Sequence, residues 1–163
     1  MKQKLNFKKI ALYTSILLVL IQLIRIDKSN KELTPENDFI NITKPDAELA
    51  SILKASCYDC HSNEITYPWY TNIAPVSWWI KHHINEGSEH LNFSEWGTYS
   101  AKKADHKLEE CVEMVSEGEM PMWSYTLMHS NAKLDQTQKE KLIAFFNSLR
   151  INKSEEAENE DEH

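Results

Sequence analysis

The sequence predicts an all-α domain of about four to five helices behind an amino-terminal transmembrane helix. Apolar residues recur at helical spacing in three separate stretches: Leu49, Ile52 and Leu53; Leu108, Cys111, Val112 and Val115; Leu142, Ile143, Phe146 and Leu149. Helix-starting or helix-stopping residues bound them, with Pro45-Asp46 before the first, Gly118 after the second and Asp135 before the third. A lysine-flanked apolar run opens the chain.

That run extends from residue 10 to residue 24, follows Lys2, Lys4, Lys8 and Lys9, and is closed by Arg25. A cleavable signal peptide ends in a small-x-small site, and Leu23-Ile24-Arg25-Ile26-Asp27 offers none. The expectation for residues 1–26 is a cytoplasmic stub and an uncleaved single-pass anchor, with a signal segment as the alternative, in contact with lipid through residues 10–26 and slightly short of a standard span. Lysines on the amino-terminal side place that end in the cytoplasm and everything after Arg25 outside. The chain carries a formal charge of −7, and with the five cations of residues 1–25 set aside the remainder carries −12, a surface unsuited to nucleic acid. With 163 residues there is room for one domain plus appendages. Three glycines and five prolines exclude glycine-rich or collagen-like character.

Residues 27–44 are polar, lack helical periodicity and read as a tether, with the alternative that Phe39, Ile40 and Ile42 pack on the domain as a strand-like segment. The domain proper spans residues 45–151. Its first helix begins at Pro45-Asp46 and delivers, at its carboxyl end, Cys57-Tyr58-Asp59-Cys60-His61. C-x-x-C-H is the attachment signal of a c-type haem: two thiols reach one edge of the porphyrin, and the next residue supplies an imidazole to the iron. A structural zinc site needs four ligands and no second pair follows, while a thioredoxin-like pair needs a βαβ surround that is not visible. Haem attachment and the export signal name one compartment, the periplasmic side of a bacterial inner membrane.

Tyr67, Trp69, Tyr70, Trp78 and Trp79 follow closely and are expected to wall a flat apolar ring. Pro75 opens a second helix through Trp78, Trp79 and Ile84 that stops near Gly87; a third runs from about residue 102 to residue 117 and stops at Gly118. Cys111 sits on its apolar stripe as a small buried hydrophobe, with an intermolecular disulfide as the alternative. The last helix starts after Asp135. The acidic stretch from residue 152 to residue 163 repels itself and is expected to be disordered.

The C-x-x-C-H motif, with Tyr67-Pro68-Trp69-Tyr70, Ser77-Trp78-Trp79, Asn92-Phe93-Ser94-Glu95-Trp96 and Gly118-Glu119-Met120-Pro121, resembles the bacterial haem-binding domain family related to class I cytochrome c, over about residues 45–150. The resemblance implies a cytochrome c-like fold, one covalent haem c and its iron, a last helix that crosses the first, and a proline carbonyl, from Pro68 or Pro75, as acceptor for the second nitrogen of His61. Gly118-Glu119-Met120-Pro121 resembles the loop that delivers a methionine ligand, and Pro121 restricts Met120 to extended backbone. Met122, or a histidine among His82, His83 and His129, is the alternative sixth ligand, or the position is open; Met114 and Met128 read as core.

The cofactor-binding set is therefore Cys57, Cys60, His61 and Met120, with His61 and Met120 on the metal. The expected function is a membrane-anchored monohaem c-type cytochrome passing single electrons between periplasmic or membrane redox partners. The alternative is a ligand sensor or peroxidase-like protein with an open or displaceable sixth position. No catalytic base is evident, which favours electron transfer over an enzyme.

Overall fold

A computed structural model describes residues 6–160, with side chains through residue 150. The described residues contain eight α-helices joined by short 3₁₀ turns and no strand, as the periodicity predicts.

The first helix, α1 (Phe7–Leu20), is exposed along its length. It is shorter than the anchor expected over residues 10–26, and no helix among the described residues is long and apolar enough to cross a membrane. A local cause is visible at Gln22, just past the end of α1. Its side-chain amide donates to the Leu18 carbonyl at 2.8 Å and to the Ala74 carbonyl at 2.9 Å, while its oxygen accepts from the Ala74 amide at 2.9 Å. The chain is thereby turned onto the domain before a full span is completed. Lys2 and Lys4 lie outside the described residues.

The segment read as a tether is partly built into the domain. Arg25 donates to Asn72 O and Asn30 to Ile65 O. Asp38 is buried and caps α2 (Phe39–Thr43), accepting from the Ile40 amide at 3.0 Å, and the Tyr58 hydroxyl donates to its carboxylate at 3.1 Å. Phe39 is completely buried. Its ring meets Trp96 edge-on at 4.8 Å and Phe93 at 4.9 Å, so for Phe39 the alternative of packing on the domain holds, and the residue lies at the centre of the aromatic core. It packs as part of a helical turn, not a strand.

Asp46 caps α3 (Ala47–Ser56) by accepting from the Leu49 amide, and the stripe Leu49, Ile52 and Leu53 is buried as predicted. The motif forms α4 (Tyr58–His61), a single turn. Next, α5 (Val76–His90) continues one turn beyond Gly87 instead of stopping there. Ser100 caps α6 (Ala101–Glu117), which ends where Gly118 adopts φ +79°, the left-handed conformation expected of that glycine. A short α7 (Trp123–Met128) follows.

Asp135 then opens α8 (Gln136–Glu160) with a reciprocal box: the Gln138 amide donates to the Asp135 carboxylate at 2.8 Å, and the Gln138 side chain accepts from the Asp135 amide at 3.0 Å. α8 packs along α6 and also touches α3, with an ion pair between Lys141 and Glu48. Its backbone is helical through Glu160, past residue 152 where the sequence reading begins a disordered tail; glutamate, alanine and lysine are good helix formers, and this preference opposes the repulsion of like charges. Residues 161–163 of that tail lie outside the described residues.

Candidate functional site

The cysteines enter the site because α3 ends at Cys57, and the next turn brings Cys60 and His61 to the same side. All three line a cavity of about 540 Å³, within the range of small-molecule and cofactor sites. Both thiols are free. Burial, and then the neighbouring Cys60, pushes Cys57 up to about 12; burial, and then Asp59, pushes Cys60 up to about 11. At neutral pH each keeps its proton.

His61 is held from one side. Its Nδ1 donates to Gly87 O at 2.9 Å and to Leu91 O at 3.2 Å, carbonyls at the end of α5, which fixes the tautomer and leaves Nε2 as the available donor atom. Burial lowers its pKa below the usual histidine value, so the ring is a neutral imidazole, the form that ligates iron. The expected proline carbonyl is thus replaced by Gly87 and Leu91; Pro68 and Pro75 do not serve. The reason is steric. A Cβ on residue 87 would lie 2.9 Å from Cys60 O and 3.3 Å from Cys60 Cβ, so only glycine lets α5 approach the motif closely enough for its carbonyl to reach the imidazole. Gly87 is a packing notch and not a helix stop. A glycine inside a helix, weak in propensity, is the sequence signal from which close approach could have been read, where the sequence reading takes it as a stop.

The methionine loop closes another wall. The Gly118 amide donates to Val115 O, and those of Glu119 and Met120 donate to Met114 O at 3.0 and 3.1 Å, pinning the backbone at Met120. Met120 and Met122 both line the cavity, as does Met114, which the sequence reading assigned to the core. Met128, assigned likewise, is 55% exposed. Among the histidines weighed for iron, His83 lines the cavity. His82 faces Glu86, and His129 is occupied by the Tyr70 hydroxyl and stacks on Tyr125 at 4.1 Å.

Tyr125 is a site residue that the sequence reading passed over. It lines the cavity and donates to Asp59 Oδ2 at 2.8 Å, tying the helix after the methionine loop to the Cys57–His61 turn. The Asp59 between the two cysteines, with a hydroxyl-bearing aromatic near the methionine loop, is the sequence signal for such a tie.

The expected aromatic wall is not found. None of Tyr67, Trp69, Tyr70, Trp78 and Trp79 lines the cavity: Trp69 is 70% exposed, and the Trp78 indole donates to Ile24 O at 3.0 Å. Their stretch turns toward residues 22–28 instead, because Gln22, Arg25 and Lys28 hydrogen-bond to it. Phe93, Phe146, Tyr125 and Val115 supply the apolar surface. Cys111 is also on the wall, half-buried, with burial and then Cys57 raising its pKa.

Two protonated thiols, an imidazole with one nitrogen tied and one available, and an apolar cavity with a thioether on another wall are a donor set that fits a haem. Comparison with curated proteins and with solved structures gives no match. The haem-binding domain family matches residues 16–148, starting well before the motif and taking in the residues by which Gln22 and Arg25 dock on the domain. On that match the chain belongs to the haem-binding domain family, and the protein is a haem-binding protein.

Proposed function

We propose that this haem-binding chain is a membrane-anchored monohaem c-type cytochrome that passes single electrons on the periplasmic side of a bacterial inner membrane. The observation that carries the reading is the pairing of two free thiols with an imidazole whose Nδ1 is bound to the carbonyls of Gly87 and Leu91. Cys57 and Cys60 would carry the thioether links, and His61 Nε2 and the Met120 sulfur would ligate the iron, with the Met120 backbone held by Met114 O and by Pro121. Haem supplies the Fe(III)/Fe(II) couple when bound. The chain's own part is to fix the imidazole, present a soft sulfur, and exclude water with Phe93, Phe146 and Tyr125.

Anchoring is supported by the apolar exposed surface of α1 and by Lys8 and Lys9 at its start. The 14 residues of α1 rise about 1.5 Å each, or roughly 21 Å. A hydrocarbon core is about 30 Å thick, so α1 alone falls short of a span, and the anchoring reading rests on its exposed apolar surface and the lysines at its start.

The test is the optical spectrum of the haem-loaded protein and of Met120→Ala. The wild type is expected to show the weak near-red sulfur-to-iron band and to resist carbon monoxide when reduced, and the variant to lose the band and bind the gas promptly. Persistence of the band in the variant removes Met120 from the iron. Prompt gas binding by the wild type favours a ligand sensor or peroxidase-like role.

A further inference from the structure

Outside the haem donors, α5 carries a second cluster of metal-ligating side chains on its exposed face. His82 Nε2 lies 3.3 Å from Glu86 Oε2, and His83 Nδ1 lies 3.7 Å from the same oxygen. One donor atom from each of the three residues falls within 4.8 Å of the others. Spacings of i,i+4 and i,i+3 put both imidazoles over the same carboxylate, and the helix backbone holds them there without a loop to order. The His83 ring is backed by the Trp79 ring at 4.3 Å.

We propose that His82, His83 and Glu86 form a binding site for a borderline divalent ion such as Zn²⁺, separate from the haem iron. Two imidazoles and a carboxylate are a donor set suited to zinc, copper or nickel. Donors about 2.0–2.1 Å from a tetrahedral zinc lie roughly 3.3 Å from one another, close to the 3.3 and 3.7 Å from each imidazole to Glu86, and the two imidazoles, within 4.8 Å of each other, close on the ion by side-chain rotation. Three protein ligands leave a position for water, and with His82 and Glu86 more than half exposed the ion enters from solvent without any rearrangement of the core. His83 and Glu86 also line the haem cavity, so the ion sits at its mouth. On α6, His106 with Glu109 and Glu110 offers one imidazole and two carboxylates, a harder set that serves as an internal comparison.

The site stands on α5 alone and does not rest on covalent haem attachment or on electron transfer. Its test is calorimetric titration of ZnCl₂ into the full-length haem-loaded protein at neutral pH in a non-coordinating buffer. The expected result is saturable uptake of one ion per chain. Affinity should fall at least tenfold in H82A and in E86Q and stay unchanged in H106A, with the visible haem spectrum of H82A as in the wild type. All three substituted side chains are exposed, so far-UV circular dichroism should match throughout. Absence of saturable uptake overturns the proposal, as does wild-type affinity in H82A and E86Q. A haem spectrum altered in H82A also overturns it, since it would make His82 a haem ligand.

Discussion

Replacing Gly87 by alanine sets two effects of opposite sign against each other, and the geometry decides which wins. In an unconstrained helix interior the change gains about 1 kcal/mol of propensity. Here the new methyl meets the Cys60 carbonyl at 2.9 Å and Cys60 Cβ at 3.3 Å, and a backbone carbonyl cannot rotate out of the way as a flexible side chain can. Overpacking of this kind costs about 1–3 kcal/mol. Retreat of α5 also lengthens the 2.9 Å bond from His61 Nδ1 to Gly87 O. Such a bond is worth about 0.5–1.5 kcal/mol. The net expectation is a loss of roughly 1–3 kcal/mol, seen as a lower urea midpoint at unchanged slope. A shifted haem spectrum should accompany it, because the imidazole is held less firmly. A variant more stable than wild type by about the propensity gain, with an unchanged spectrum, would refute the claim that residue 87 sets the distance between α5 and the motif.

Other expectations follow from the core and from titration. Phe39→Ala should cost about 3–5 kcal/mol in urea unfolding, as for a fully buried aromatic, whereas a tether residue would change stability by about 0.5 kcal/mol or less. Burial holds the folded His61 below its ordinary value of 6.5, so the unfolded haem-free chain binds a proton that the folded chain refuses. His61's contribution is complete above that value and is lost as the pH falls from it through the lower folded value; in His61→Gln the stability profile of the haem-free chain should flatten over that range. An unchanged profile would show that the ring is not desolvated.

Much of the scaffold was legible because its signals are local. Asp46 and Asp135 cap the helices that they precede, Gly118 ends α6, the α3 stripe is buried, and on α6 and α8 Leu108, Val115, Leu142 and Phe146 are buried with Cys111, Val112, Ile143 and Leu149 half-buried beside them. Cys57, Cys60, His61 and Met120 do share one cavity. What sequence order could not convey is which distant segments meet. The aromatic stretch from Tyr67 to Trp79 is adjacent to the motif along the chain, yet it packs toward residues 22–28 and leaves the cavity wall to Phe93, Tyr125 and Phe146. Phe39 lies in a polar stretch with no periodicity to mark it, and its burial comes from Phe93 and Trp96, more than fifty residues away. The carbonyl acceptors for His61 are backbone atoms, which no side-chain pattern identifies.

The central claim is that Cys57 and Cys60 carry haem through thioether bonds, and intact-mass measurement of the denatured protein, made with a working haem-attachment apparatus, tests it most directly. The account predicts a single species heavier than the polypeptide by one haem, with the label on the peptide that contains both cysteines and lost in Cys57→Ala/Cys60→Ala. A bare polypeptide mass from protein that is red before denaturation would contradict it.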